Sequence, residues 1–129
     1  MSLVSRLTDA LAAREDVAAA WLFGSQVTGR VRSSSDVDVG VLLVGEPEPG
    51  LAGYRFDLAE DLTTACGRKV DLVVLDRASA DLVHRVLRDG VLLVDRDRSR
   101  RIAFETRRRA EYLDLGPVRR AYRRFPEQP

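Results

Sequence analysis

Cysteine, histidine and long apolar runs are nearly absent from this sequence, and each absence narrows the range of possible functions. Cys66 is the only cysteine, so the chain has neither an internal disulfide nor a cysteine cluster for a metal. His84 is the only histidine, which removes most histidine metal sites and argues against a serine–histidine triad. No apolar run is long enough to cross a bilayer. Any metal must therefore be held by oxygen ligands.

Charged residues are plentiful but unevenly distributed along the 129 residues. Apolar residues make up 45% and charged residues 32%, which is typical of a soluble globular protein of one domain. The first residues lack the apolar core of a secretory signal, so we expect a cytoplasmic protein. Residues 1–95 carry 10 basic and 15 acidic side chains, whereas residues 96–129 carry 11 and 5. We predict a core at residues 1–95 and a basic helical extension of the same domain at residues 96–129.

Apolar spacing along the chain predicts an alternation of helices and strands. Apolar residues recur every three or four positions in the predicted helices, and short apolar or β-branched runs mark the strands. The predicted helices are residues 3–13, 51–66, 80–89, 99–115 and 118–125, and the predicted strands are residues 17–23, 37–44, 70–75 and 91–94. This order predicts an α+β fold in which a mixed four-stranded sheet is packed by helices.

Several single residues carry more local predictions. Aromatic residues are expected to pack in the interior: Trp21 and Phe23 in the first strand, and Tyr54 and Phe56 under the sheet. The helix at residues 99–115 has a thin apolar face, formed by Ile102, Ala103, Ala110 and Leu113. Gly116 and Pro117 are expected to end this helix. Asp76 is expected to begin the turn after the third strand or to cap the next helix.

Three aspartates form the first candidate site. Residues two apart in a strand point to the same side, so Asp36 and Asp38 present their carboxylates on one face. Such a pair is repulsive unless cations intervene, and Mg²⁺ prefers oxygen ligands. Asp71 is the second residue of the next predicted strand. If that strand lies beside the one that follows Asp36, the three carboxylates converge. The pattern favours a site with two magnesium ions that activates an attacking oxygen and stabilises a leaving pyrophosphate.

A candidate phosphate-binding segment precedes the aspartates. Gly24 and Ser25 follow the first strand directly, where a glycine permits close backbone approach and a serine hydroxyl donates to phosphate oxygens. Gly29 adds a second flexible point, and Arg30 or Arg32 can reach the same polyphosphate. A Gly-Ser pair, ten further residues and Asp-x-Asp together are much rarer by chance than either part alone.

Two segments carry a resemblance to a known family. GSQVTGRVRSSSDVDVGV, at residues 24–41, and VDLVVLD, at residues 70–76, resemble the minimal nucleotidyltransferases of the polymerase-beta-like superfamily, which are antitoxin partners of HEPN toxins. The order of elements from residue 3 to about residue 94 fits that fold, and residues 102–115 look like the C-terminal helix of the family. The resemblance implies a polymerase-beta-like nucleotidyltransferase fold for most of the chain.

The resemblance also implies roles for individual residues. Gly24 and Ser25 would hold the triphosphate of ATP. Asp36 and Asp38 would bind both magnesium ions, and Asp71 would help to bind one ion and activate the incoming hydroxyl. Members of the family transfer AMP from ATP to a tyrosine of the toxin.

The intervening segment agrees with the family pattern only in part. Gly29, Arg32 and Ser35 match the positions associated with the nucleotide, and Arg30 lies beside them. Thr28 stands where an arginine is frequent in the family. The three carboxylates are all present, so the sequence predicts a functional enzyme.

Four functions are compatible with these features. The first is transfer of AMP to a hydroxyl of a HEPN toxin. The second is a binding antitoxin that covers its toxin through the basic C-terminal helix without catalysis. The third is a transferase acting on a small molecule such as an aminoglycoside, for which the chain has little length left to form an acceptor pocket. Nucleic-acid binding has little support, because aromatic residues are few in the basic segment. The sequence leaves homo-oligomerisation open.

Overall fold

A computed structural model of the chain describes residues 2–24, 36–45 and 51–124, with the backbone alone for residues 51–54 and 115–124. Its four described helices are α1 (Leu3–Ala12), α2 (Leu51–Cys66), α3 (Ala80–Asp89) and α4 (Arg98–Arg124). Its four strands are β1 (Val17–Phe23), β2 (Val37–Leu43), β3 (Val70–Val74) and β4 (Val91–Asp95). A short 3-10 helix, Leu75–Arg77, follows β3. The predicted order of elements is confirmed over these residues.

The strands form one mixed sheet in the order β3-β2-β1-β4. β1 is antiparallel to both β2 and β4, and β2 is parallel to β3. Two parallel neighbours need a long crossover, and α2 supplies it between β2 and β3. The predicted α+β fold with a mixed four-stranded sheet is therefore confirmed.

Helices cover both faces of the sheet, and every residue of the central strand β1 is buried. On one face α1 and α2 pack through leucines such as Leu7, Leu58 and Leu62. On the other face α3 and α4 pack over Trp21. The ring centroid of Trp21 lies 6.5 Å from that of Phe104 in α4, within the range of favourable aromatic pairs. A strand covered on both sides reads as the continuous apolar run that the sequence contains.

Local signals fix several helix ends. The Ser79 hydroxyl accepts a hydrogen bond from the backbone N–H of Leu82, which caps α3 as predicted. Gly90 follows the last residue of α3, also as predicted. Gly67, which follows α2, has φ +73°, a left-handed conformation that costs a glycine little. No helix in the described part of the chain combines the length and apolarity needed to cross a membrane.

The C-terminal helix differs from the prediction in two respects. α4 runs without interruption from Arg98 to Arg124, so the predicted stop near Gly116 and Pro117 and the separate helix at residues 118–125 were wrong. A proline removes one backbone hydrogen bond of a helix but its φ suits helical geometry, and the neighbouring arginine, leucine and alanine residues favour continuation.

The apolar face predicted for α4 was also wrong. Ile102 is 44% and Leu113 is 70% exposed, whereas Phe104 is only 4% exposed and faces the core. Arg108, one turn after Phe104, lies over the Phe104 ring and donates to the backbone carbonyl of Ala78. The aliphatic part of the Arg108 side chain therefore covers apolar surface that the prediction expected Ile102 and the alanines of α4 to cover.

Phe56, Tyr54 and Asp76 also carried local predictions from the sequence. Phe56 was predicted to pack under the sheet but is 66% exposed, because it points away from the face that carries Leu58 and Leu62. The side chain of Tyr54 lies outside the described residues. Asp76 lies in the 3-10 turn, as expected, but does not cap α3.

The carboxylate of Asp76 joins β2 to α4 instead. It accepts hydrogen bonds from the backbone N–H of Leu43 at 3.1 Å and from the guanidinium of Arg100 at 3.1 Å. Arg100 also donates to the carbonyl oxygen of Leu43 at 2.7 Å. The Asp76 side chain is only 8% exposed, so the ion pair is largely shielded from water. These bonds fix the start of α4 at the C-terminal end of β2.

Candidate active site

The candidate site lies where β1 ends and β2 and β3 begin. Asp38 pairs with Phe23 of β1 and with Asp71 of β3, so these residues lie side by side across three strands. Because side chains alternate along a strand, Asp38 shares a face with Leu42, which packs with α3 and α4. Val37 and Val39 face the opposite core. The register thus places Asp38 and Asp71 on one face, as the sequence predicted.

The carboxylate of Asp38 is electrostatically unfavourable in its ionised form. Partial burial, followed by the negative charges of Asp71 and Asp36, raises its pKa above the ordinary value of 3.8. All three causes oppose ionisation. The three predicted carboxylates are therefore close enough to repel one another, and a cation among them would relieve this repulsion.

Asp36 lies at the exposed edge of this group. One of its carboxylate oxygens is 3.9 Å from the ammonium nitrogen of Lys69, a loose and exposed ion pair. Within residues 2–24, 36–45 and 51–124, no three histidine, cysteine or carboxylate side chains converge closely enough to hold a metal ion. The assignment of Asp36, Asp38 and Asp71 as metal ligands stays a prediction.

The chemistry of the donor set nevertheless fits magnesium. All three side chains supply carboxylate oxygens, the ligands that Mg²⁺ prefers, and no sulfur or imidazole ligand lies among them. After partial burial, the negative charges of Asp71 and Asp36 are the further causes that raise the pKa of Asp38, so there is an excess of negative charge around its carboxylate. A divalent cation would offset that excess.

Gly24 closes the site against the end of β1. Its φ is +79°, in the left-handed region that favours glycine. A Cβ atom at this position would lie 3.0 Å from Cγ of Asp38 and would overlap Oδ2 of the same residue. From the sequence, the predicted role of Gly24 is to let the backbone approach a phosphate closely. The structure shows that the absence of a side chain at Gly24 also makes room for Asp38.

The remaining predicted nucleotide-binding residues fall on a segment outside the described residues. They are Ser25, Gly29, Arg30, Arg32 and Ser35. Their assignment stays a prediction.

A cavity of about 220 Å³ adjoins Asp38 and contains residues that sequence reasoning did not single out for the site. It is lined by Phe23, Gly24, Asp38, Arg85 and Asp89. Arg85 and Asp89 are four residues apart on α3 and so share one side of that helix. This spacing is visible in the sequence, but only the packing of α3 on the sheet shows that this side borders the carboxylates.

Comparison with a family model agrees with this geometry. The model described as "Polymerase beta, Nucleotidyltransferase" matches residues 5–99, which include the carboxylates, β3 and α3. Among curated proteins, none matches this chain.

Solved structures show the same fold over nearly the whole chain. A chain from a crystal structure of a toxin–antitoxin with AMP-PNP has 28% identity and a TM-score of 0.76, over 92% of this chain and 93% of that chain. A chain from the toxin–antitoxin MntA-HepT has 26% identity and a TM-score of 0.70, over 92% of each. A chain from the complex of a tri-AMPylated Shewanella oneidensis HEPN toxin with its MNT antitoxin has 27% identity and a TM-score of 0.69, over 92% of this chain and 91% of that chain.

Proposed function

Because this chain belongs to the polymerase beta nucleotidyltransferase family, we propose that it transfers AMP from ATP to a protein hydroxyl. The acceptor we propose is a tyrosine of a HEPN toxin, so that the protein acts in the cytoplasm as the antitoxin of a toxin–antitoxin pair. Support comes from the similar solved complexes, one of which contains AMP-PNP and another an AMPylated HEPN toxin.

The observation that carries the proposal is the register of Asp38 beside Asp71, with Gly24 against Asp38. Nucleotidyl transfer depends chiefly on positioning and on neutralising charge, and a rigid sheet supplies the positioning. Residues at the ends of three adjacent strands meet here, each fixed by backbone pairing. A site held in this way does not need a histidine.

Asp36, Asp38 and Asp71 would hold Mg²⁺, and they fit it because their ligand atoms are all carboxylate oxygens. Bound there, Mg²⁺ would neutralise charge on the phosphate oxygens of the nucleotide. Gly24 lets the backbone at the end of β1 lie close to the triphosphate, and Ser25, Arg30 and Arg32 are proposed to bind its oxygens. The residues of the chain therefore bind and orient ATP before reaction.

The proposed chemical step is an in-line displacement at the α-phosphorus. A carboxylate oxygen of Asp71 accepts the proton of the acceptor hydroxyl. The hydroxyl oxygen forms a bond to the α-phosphorus, and the bond from that phosphorus to the bridging oxygen of pyrophosphate breaks. AMP is then joined to the acceptor, and pyrophosphate leaves.

The proposed toxin contact is the C-terminal helix α4 together with the adjacent part of α3. Leu113 is largely exposed at the edge of a cavity of about 310 Å³ that also involves Leu87 and Tyr112. Two exposed arginines, Arg88 and Arg109, line the same cavity. An apolar centre within a charged rim is typical of protein interfaces. The surplus of arginine suits an acidic partner.

The test is intact-mass spectrometry of the HEPN toxin after incubation with this protein, ATP and Mg²⁺. We expect the toxin to gain the mass of one or more AMP groups. Asp38→Asn should slow this transfer by about 10²- to 10³-fold, because a charge aimed at the reacting group is lost. Asp57→Asn, at an exposed position of α2, is the matched control and should transfer at the rate of the native protein.

A second candidate, a binding antitoxin without catalysis, is favoured by one observation. The exposed Leu113 and the arginines of α4 offer a binding surface that does not require the carboxylates. If Asp38→Asn still neutralises the toxin in the absence of ATP, and no AMP is added, binding rather than transfer is the activity. Loss of neutralisation in that variant would leave transfer as the function.

A further inference from the structure

A positive charge reaches the candidate site from the helical layer. Arg85 lies in the second half of α3 and lines the 220 Å³ cavity with Asp38. Phe23 and Gly24, at the end of β1, form another wall. A guanidinium and the candidate catalytic carboxylate therefore border the same small space from different layers of the fold.

The acidic neighbour of Arg85 is already neutralised. Arg88 donates two hydrogen bonds to Asp89, at 3.0 Å and 2.8 Å, one to each carboxylate oxygen. The hydrogen bond from Arg88 is the largest cause that lowers the pKa of Asp89, and the charge of Arg85 makes a smaller contribution. Asp89 thus keeps its ionised form chiefly through Arg88, so Arg85 is not committed to it.

Arg85 retains its donors for a ligand. With the residues that the structure describes, its side chain forms no hydrogen bond and no ion pair. A guanidinium presents five N–H donors in a planar arrangement that matches two oxygens of a phosphate. The cavity is large enough for a phosphate group, since a water molecule takes about 30 Å³ in the liquid.

We propose that Arg85 binds a phosphate group of the nucleotide from the α3 side of the site. This inference rests on the proposed nucleotidyl transfer and adds to it a ligand contact outside the segment at residues 24–38. Arg85 would offset the negative charge that Asp38 and Asp71 bring close to the same phosphates. It would bind either the transferred phosphate or the leaving pyrophosphate, which have the same oxygen chemistry.

The experiment is isothermal titration calorimetry of the whole chain with AMP-PNP and Mg²⁺. Losing a hydrogen bond to a charged group costs about 1.5–3 kcal/mol, so Arg85→Ala should raise Kd by about 10- to 100-fold. Arg85→Lys keeps the charge but not the planar fork and should recover part of the affinity. Separate titrations with AMP and with pyrophosphate identify the phosphate, because only the ligand that contains it loses affinity in Arg85→Ala.

Arg6→Ala is the matched control. Arg6 is also an exposed helical arginine, but it lies on α1, across the sheet from α3. Its Kd should stay within about twofold of the native value, because removing one distant surface charge has little effect. Thermal melting of each variant verifies that it is folded.

Failure of this inference is distinguishable from failure of the proposed function. If the native chain binds AMP-PNP and Asp38→Asn weakens binding, but Arg85→Ala binds like Arg6→Ala, the role of Arg85 is refuted while nucleotide binding stands. If the native chain binds no nucleotide, the proposed function fails and the inference fails with it.

Discussion

Replacing Gly24 with alanine is expected to disable the site while leaving the fold largely intact. The backbone at Gly24 has φ +79°, where a residue with a Cβ costs about 1–2 kcal/mol. Alanine also restricts the unfolded chain, which returns about 0.4–1 kcal/mol. The net loss of stability, strain less the unfolded-state effect, is therefore about 1 kcal/mol.

The new methyl group has a second effect. It would overlap Oδ2 of Asp38, whose Cγ would lie only 3.0 Å from the new Cβ. The carboxylate is the end of a short side chain and can turn away, so the overlap adds little to the free energy of unfolding. It does displace the carboxylate on which the proposed transfer depends, and a misplacement of about 1 Å can slow a reaction about 10²-fold.

Gly67→Ala separates these two effects. Gly67 has φ +73°, but a Cβ there would meet no described atom within 4 Å. Both variants should lose about 1 kcal/mol in urea unfolding, through the same strain. In the mass-spectrometric transfer assay only Gly24→Ala should be about 10²-fold slower. Equal transfer rates for the two variants would refute the role assigned to the position of Asp38.

Three further predictions concern stability. Because the pKa of Asp38 is raised in the folded chain, its ionisation opposes folding as the pH rises above 3.8. Asp38→Asn should therefore raise the free energy of unfolding at pH 7 by about 0.2–1 kcal/mol. This gain should vanish in melts below pH 3.8. Phe104→Ala should lower the free energy of unfolding by about 3–5 kcal/mol in urea, because Phe104 is buried. Ile102→Ala, two residues earlier on the same helix, should lower it by less than about 1 kcal/mol, because Ile102 is exposed. Arg100→Ala should lower the free energy of unfolding by about 2–3 kcal/mol, because it removes the charged partner of the shielded Asp76. Arg107→Ala, which removes an exposed ion pair, should lower it by only about 0.5 kcal/mol. Similar losses for the two variants would contradict the importance given to the Arg100 ion pair.

Much of the fold was predictable because its local signals agree with its packing. β1 is buried on both faces and reads as an uninterrupted apolar run, with the same bounds in sequence and structure. α3 lies between the Ser79 cap and Gly90, both of which are recognisable by residue type. The shared face of Asp38 and Asp71 was predictable on the condition that β2 and β3 are neighbours, and the two residues are paired in register. Asp36 precedes β2, so the alternation predicted for Asp36 and Asp38 does not extend to it.

The predictions that failed depended on long-range packing. Hydrophobicity alone favours Ile102 and Leu113 for the packed face of α4, but both are exposed. Phe104 and Arg108 form the side of α4 that packs on the rest of the fold. An arginine that covers an aromatic ring contributes apolar surface that hydropathy does not count. Arg85 was missed for a similar reason, because its position beside Asp38 follows from how α3 crosses the sheet.

The hydrogen bond from Arg100 to the carbonyl oxygen of Leu43 holds the first turn of α4 at the end of β2 that lies opposite Asp38. Asp38 and Leu43 belong to the same strand, near its opposite ends, and a strand of this length spans roughly 20 Å. α4 covers about the same distance between Arg100 and Leu113 at about 1.5 Å per residue. A partner held by the first turn of α4 would have to extend its hydroxyl across that whole distance. One held around Leu113 would lie against Leu87 and Arg88 of α3, the helix whose Arg85 and Asp89 line the cavity at Asp38. The turn of α4 at which the proposed partner binds would therefore set the distance between its acceptor hydroxyl and Asp38.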